Sequence, residues 1–330
     1  MRFAWVGCHA EGVSALAALL DAGAPVHGVL TLLPELAARR SAAADYGPLC
    51  RRHGVPLHRV ANINDAGAQR ILGQLQPDIV FVIGWHQYVQ PQTLQLARLG
   101  MIGAHASLLP HNRGSAPINW AILRGERETG NTLYWLAEDF DDAEIIEQTA
   151  FAITAYDTCA TLYQKVAVSN REMLLRLLPR LLAGERPARP QPPSKEPPLR
   201  RRRPADGCID WERPCTAVYD FIRALTRPYP GAFSMLDDRR WFIWQASLPR
   251  VTPIGAPAGT VLGPVVSPLG DGCGQMVACG EGAVILLEVE ARGAGSLRGC
   301  RLSEQRWTGK RWHDGPVAVA GERRSAPGRH

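Results

Sequence analysis

His105 stands at the end of the apolar run 101–104 and opens the stretch HASLLPHNRGSAP. That stretch breaks at Leu109-Pro110 and turns through Arg113-Gly114. A titratable side chain at the mouth of a buried strand, followed by a loop shaped by proline and glycine, is where α/β proteins put chemistry. On spacing alone His105 reads equally well as a base or as a satisfied structural histidine. Asp141 follows in the acidic segment AEDFDDAE, beside Glu138, Asp139, Asp142 and Glu144. A carboxylate beside an imidazole orients the ring and stabilises its charged form. Such a pair suits a base that takes a proton from an attacking amine and returns it to a leaving nitrogen. The alternative for Asp141 is one solvated acid among several.

The elements that must position these residues alternate in type. Residues 2–7 read as a buried strand, the loop GCHAEG follows, and 13–22 has a helical stripe at Leu16, Leu19 and Leu20. Strands at 26–32, 55–60, 78–83 and 101–104 alternate with helices at 41–53, 65–75 and 91–97. This is the pattern of an α/β, Rossmann-like, mostly parallel sheet covered on both faces. Polar groups just past a buried strand lie at the carboxyl edge of such a sheet. Trp85, His86, Gln87 and Tyr88 therefore share one crevice with His105. Further on, 117–125 reads as a helix, 131–136 and 145–153 as strands, and Asp157-Thr158 as the N-cap of a helix reaching 182.

Residues 1–183 thus form the expected catalytic domain. Segment 184–206 is crowded with proline and arginine and reads as an extended linker. Residues 207–308 combine a helix at 216–225 with short, glycine-punctuated strands, which predicts a small OB-like β-barrel. Residues 309–330 read as a flexible tail.

A chain of 330 residues calls for two domains, and 46% hydrophobic with 21% charged residues is ordinary for a folded protein. No apolar run reaches the roughly 18 residues of a membrane span, and the N-terminus lacks a secretory pattern. Eight scattered cysteines without metal-ligand spacing predict reduced thiols, a cytoplasmic protein and no metal. The net charge of +6 is concentrated in local runs such as Arg200, Arg201, Arg202 and Arg203, a weak pointer to nucleic acid. Gly7 and Gly12 do not form G-x-G-x-x-G, so a nicotinamide cofactor is not expected.

With these residues in view, the chain resembles a known family. His105-Ala106-Ser107-Leu108-Leu109-Pro110, with Arg113-Gly114, Ala116-Pro117 and Asn119-Trp120, resembles the HxSLLPxxRGxxPxxW signature of formyltetrahydrofolate-dependent formyltransferases. Gly125-Glu126, Glu128-Thr129-Gly130 and Thr132 are similar to the family's following GExETGxT segment. Ile209-Asp210-Trp211, Ile222-Arg223-Ala224 and Pro230-Gly231-Ala232-Phe233 resemble the C-terminal barrel of methionyl-tRNA formyltransferase and its sugar-modifying relatives. The look is nearest to the branch that formylates aminoarabinose.

The resemblance implies a one-carbon transferase using 10-formyltetrahydrofolate as co-substrate, without a metal, and a small-molecule amine as acceptor. Candidate acceptors are a nucleotide-linked amino sugar or an amine of specialised metabolism. His105 is then the base and Asp141 its electrostatic partner. The implied folate pocket takes in Gly84, Trp85, His86, Gln87, Tyr88, Val89, Leu109, Pro110, Asp139, Phe140 and Asp142. His9, Ser107, Arg113 and Asn119 fall on the acceptor side. Arg113 reads equally as a loop brace.

One position departs from the pattern. The family has asparagine two residues before the histidine, as a donor to the formyl oxygen, and this chain has Gly103. Losing one such donor typically costs about 10²–10³ in rate. Gln87, Asn112, Asn119 and Asn131 are candidates to replace it. The change also leaves open a non-catalytic folate- or nucleotide-binding relative, or altered one-carbon chemistry such as formyl hydrolysis. Action on initiator tRNA is disfavoured, because the segment 32–46 is short and mostly apolar with only Arg39-Arg40.

Overall fold

The computed structural model describes residues 1–140, 143–251, 255–267, 272–291 and 293–314. The chain divides into two compact units, Met1–Arg202 with Arg227–Tyr229, and Arg203–Thr226 with the chain from Pro230 onward.

The first unit is built on seven strands. They are β1 (Phe3–Val6), β2 (Val26–Leu32), β3 (Leu57–Val60), β4 (Ile79–Val82), β5 (Gly100–His105), β6 (Glu128–Trp135) and β7 (Glu144–Ala152). Their order across the sheet is β3-β2-β1-β4-β5-β6-β7. The first five run parallel, whereas β6 and β7 form an antiparallel hairpin added at the β5 edge. Strand order reverses between β1 and β4, which opens a crevice at their carboxyl ends. The expected mostly parallel α/β sheet is what the chain forms.

Helices cover both faces. In chain order they are α1 (Ala10–Asp21), α2 (Pro34–Ala37), α3 (Gly47–His53), α4 (Ala66–Leu75), α5 (Pro91–Leu94), α6 (Pro117–Leu123) and α7 (Cys159–Leu182). On one face Trp5, Phe81, Ile102, Leu133 and Trp135 pack against Leu16 and Leu19 of α1 and Met173, Leu177 and Leu181 of α7. On the other, Ala4, Val80, Val82 and Met101 pack against Leu72 of α4. Continuous apolar strands such as Ile79–Val82 follow from burial on both faces. Thr158 caps α7, its hydroxyl accepting from the Thr161 amide while Thr161 returns a bond to the Thr158 amide.

Residues 184–202, read above as a linker, run extended but belong to the first unit. Arg189 and Ile145 exchange backbone bonds of 2.9 and 2.8 Å, and the Leu199 amide donates to the Arg113 carbonyl at 2.6 Å. Trp120 lies under the guanidinium groups of Arg200 and Arg202, 5.6 and 5.4 Å from its ring centre. Much of the arginine block therefore stacks on an aromatic ring instead of standing free in solvent.

The second unit carries helices α8 (Cys215–Leu225) and α9 (Cys300–Ser303) and an antiparallel sheet. Its strands are β8 (Ala232–Leu236), β9 (Arg239–Ser247), β10 (Val261–Val265), β11 (Gly274–Ala278), β12 (Ala283–Ala291) and β13 (Ser296–Arg298). They pair in the order β10-β11-β12-β9-β8, with β13 on β12. The two ends of that path are joined through residues 309–313. His313 exchanges backbone bonds with Met235 of β8, and Lys310 accepts from Val261 of β10.

The expected loose tail is therefore corrected over 309–314. A charged, glycine-containing stretch conceals Trp312, which is 1% exposed and packs on Trp211 and Trp307. Residues 315–330 lie outside the described residues. Trp312→Ala should destabilise the second unit by about 3–5 kcal/mol, the range for emptying a buried aromatic site. A denaturant titration followed by tryptophan fluorescence in which the variant tracks the unaltered protein would contradict this closure.

Candidate active site

His105 ends β5, and its Nε2 lies 3.0 Å from the Asn112 carbonyl. A carbonyl only accepts, so Nε2 carries the proton and donates. In the neutral ring the lone pair is then on Nδ1. Burial lowers the His105 pKa, and the Asn112 bond partly opposes this. The imidazole is therefore held neutral, with one nitrogen anchored and the other basic.

The loop after His105 is clamped to the hairpin. Thr132 Oγ1 donates to the Ser107 carbonyl at 2.6 Å and accepts from the Leu109 amide at 3.1 Å. Gln148 Nε2 donates to Leu109 O at 2.9 Å. Ser107 Oγ donates to the His111 carbonyl, and Asn112 Nδ2 donates to both oxygens of Glu126. Ser107 is thus a buried turn brace. Arg113 is a brace as well, its Nη2 donating to the carbonyls of Glu196 and Ser194. Asn119 is buried on α6, which packs against α7.

The loop after β4 supplies the neighbouring wall. Gly84 has φ +64°, and a Cβ there would meet His9 Cβ at 2.7 Å, so glycine is required twice over. Gln87 is a strut, accepting from the Ile63 amide and donating to Ala61 O, both at 2.9 Å. Tyr88 reaches across to donate to the Glu138 carbonyl at 2.8 Å. Val89 is buried, whereas the Trp85 Nε1 is enclosed without a hydrogen-bond partner among the described residues.

The connection from β6 to β7 folds back over this face. Phe140 packs edge-on against His105 at 5.6 Å and Tyr134 at 5.4 Å, while Asp139 is exposed. Asp141 and Asp142 lie outside the described residues. Gly103 sits in β5 between Val82 of β4 and Tyr134 of β6. A Cβ built on it would come within 2.6 Å of Leu136 Cδ1 and 3.1 Å of the Tyr134 hydroxyl. Leu136 and Tyr134 fill the volume beside Gly103.

A second polar cluster lines the β1–α1 corner, and of it only His9 was singled out in the sequence. Glu11 Oε2 and His9 Nδ1 are enclosed, 3.7 Å apart, and neither has a hydrogen bond among the described residues. Burial pushes Glu11 up to about 7 and His9 down to about 4. At neutral pH His9 is uncharged and Glu11 about half protonated, so their contact is not a standing ion pair. The His9 ring packs against Tyr163, whose hydroxyl meets that of Tyr229 at 2.6 Å. Cys8 Sγ lies 3.8 Å from His86 Nδ1, tying this corner to the loop after β4. The acidic residue in GCHAEG was the one available signal, and it reads first as a favourable charge in the first turn of a helix.

Among the described residues, no group of three His, Cys, Asp or Glu is arranged to hold a metal, and no helix is long and apolar enough to cross a membrane.

Comparison with known proteins agrees with this architecture. A family profile described as Formyl transferase matches residues 12–178, and one described as Formyl transferase, C-terminal domain, matches residues 202–300. Similar solved structures include HypX from Aquifex aeolicus in complex with tetrahydrofolic acid, at 18% identity and TM-score 0.63, over 91% of this chain and 46% of that one. The chain thus spans about half the length of HypX. An N-formyltransferase from Helicobacter canadensis, in complex with folinic acid and dTDP-3-aminofucose, matches at 16% identity and TM-score 0.63, over 87% and 98%. WlaRD, a sugar 3N-formyl transferase, matches at 14% identity and TM-score 0.62, over 89% and 99%. At these identities the likeness is one of fold.

The buried Glu11 has a consequence for stability. The folded chain keeps its proton up to about pH 7, whereas an ordinary carboxyl releases it near 4.5. Folding is favoured below 4.5, and that contribution is lost as pH rises towards 7, by up to about 3 kcal/mol. Glu11→Gln should remove this slope, so that unfolding free energies of variant and unaltered protein diverge across that window. Parallel curves would mean that Glu11 is ionised and paired.

Proposed function

We propose that this chain, which belongs to the formyl transferase family, moves a formyl group from 10-formyltetrahydrofolate to the amine of a small molecule. His105 is the proton acceptor and Asp141 its electrostatic partner. The observation that carries this reading is the anchored, neutral imidazole at the carboxyl edge of β5, with Nε2 held by Asn112. A base in that state can take a proton from an amine as it attacks and pass one to the departing nitrogen.

The crevice wall is assigned to the co-substrate. Gly84, Trp85, His86, Gln87, Tyr88 and Val89 would hold the folate from one side, with Leu109, Pro110, Asp139 and Phe140 from the other, and Asp142 is proposed as a further contact. The enclosed Trp85 Nε1 is a donor for which a bound polar group supplies a partner. An N-formyltransferase of similar fold was crystallised with folinic acid and a sugar 3N-formyl transferase with 5-N-formyl-THF, which agrees with this assignment.

The β1–α1 corner favours an amine or hydroxyl on the acceptor over a phosphate. A half-ionised Glu11 in the first turn of α1 occupies the end of the helix where an anion would otherwise be welcome. An amino sugar or a specialised-metabolite amine suits this corner, and a tRNA acceptor stem does not. None of the eight cysteines is in a disulfide, which suits the reducing cytoplasm. A second reading, folate binding without transfer, draws on Gly103, which offers no side-chain donor.

Transfer should be assayed as tetrahydrofolate released from 10-formyltetrahydrofolate with a panel of amines. His105→Ala should lower turnover by at least about 10²-fold, since a lost general base typically costs 10²–10⁴. Because burial lowers the His105 pKa, activity should fall only below pH 6.5, and Asp141→Asn should move that limb lower still. A limb above 6.5, or full activity in His105→Ala, would assign the proton to another group.

A further inference from the structure

Attack on a formyl carbon puts negative charge on the formyl oxygen, and a donor already aimed at that oxygen is usually the largest single catalytic contribution. The side chains that could replace a donor at Gly103 are mostly committed elsewhere. Gln87 bonds to Ile63 and Ala61. Asn112 donates to Glu126 and accepts from Arg124. Asn131 is on the opposite face of β6, donating to Ser169 and Asn170 of α7. Thr132 and Ser107 donate to backbone carbonyls of the clamped loop.

Tyr134 is different. It pairs directly with Gly103 across β5 and β6, and His105 is two residues further along β5, so all three project on one face. A Cβ on Gly103 would lie 3.0 Å from Tyr134 Cζ and 3.1 Å from its hydroxyl. The phenol end therefore occupies the space into which a side chain at 103 would grow. Phe140 packs against both rings and sets their spacing. No partner for the Tyr134 hydroxyl occurs among the described residues.

We propose that Tyr134 donates the hydrogen bond to the formyl oxygen, from the space that a side chain at 103 would otherwise enter. Burial holds the phenol up at about 12, so it stays a neutral O–H donor across the working range. In the step, the amine lone pair attacks the formyl carbon and the C=O π pair moves onto oxygen, where the Tyr134 O–H meets it. The amine proton passes to His105. Collapse re-forms C=O, breaks the bond from carbon to N10 of the folate, and N10 takes the proton from His105. The products are a formamide and tetrahydrofolate.

This role rests on the formyl-transfer reading. The full chain would be assayed for tetrahydrofolate release with hydroxylamine and with dTDP-3-aminofucose as acceptors, alongside calorimetric binding of 5-formyltetrahydrofolate. Tyr134→Phe should bind the folate within about threefold of the unaltered chain yet lose about 10²–10³ in kcat. Fluorotyrosine at 134 is more acidic and nearly the same size, so it should alter kcat and leave KM in place. Unchanged kcat in either variant would overturn the role, and the fluorotyrosine form keeps the test open if the Phe variant folds poorly. Folate binding with no release by the unaltered chain would instead remove the formyl-transfer reading, and the role with it.

Discussion

Between β5 and β6 the chain pairs Gly103 with Tyr134 and His105 with Thr132, and the crevice wall depends on that register. A slip of one residue would turn His105 towards α7 and bring a core side chain into the crevice. Two sets of bonds hold the register from opposite faces. On one, Thr132 joins Ser107 O to Leu109 N, with Gln148 behind it. On the other, Asn131 is fixed by Ser169 and Asn170. The loop that anchors the His105 Nε2 is thus positioned by the same hairpin that carries Tyr134.

The crevice has two electrostatic neighbourhoods with one physical origin. Burial lowers His105 and His9, and it raises Glu11 and Tyr134. Each shift favours the uncharged form, as desolvation requires. For these four groups burial, not a neighbouring charge, is the first cause, whereas His86 also feels Arg40 and Arg201. Further out, the carboxylates of Glu126 and Glu196 flank the His111 ring at 3.3 and 3.1 Å.

Much of this architecture was legible in the sequence. Apolar runs and helical stripes gave the α/β order, and the SLLP loop gave the neighbourhood of His105. What was not legible depends on pairing between distant strands. Tyr134 lies near Asn131 and Thr132 in a strand of ordinary composition, and only the register opposite Gly103 brings its hydroxyl beside that position. Ser107 read as an acceptor contact, and Arg113 equally as a contact or a brace, because loop polarity is visible in sequence whereas the carbonyls that bind them are not. Trp312 was overlooked because flanking charges mask a single apolar side chain, although its partners Trp211 and Trp307 make it part of a core.

The segment 184–202 carries a different kind of consequence. It forms little regular structure of its own, yet Leu199 grips the backbone at Arg113 and Ser115, and its carbonyls hold the Arg113 side chain. A Cβ on Gly114 would strike the Leu199 backbone at 2.5 Å, so the two chains lie in direct contact. The outer rim of the crevice is therefore shaped by a stretch that contributes no reacting group. A change of length in that stretch would act on the loop at Arg113, the residue after the Asn112 carbonyl that anchors His105. Such a strap ties the outer course of the loop to the carbonyl that orients the ring, so that the two change together.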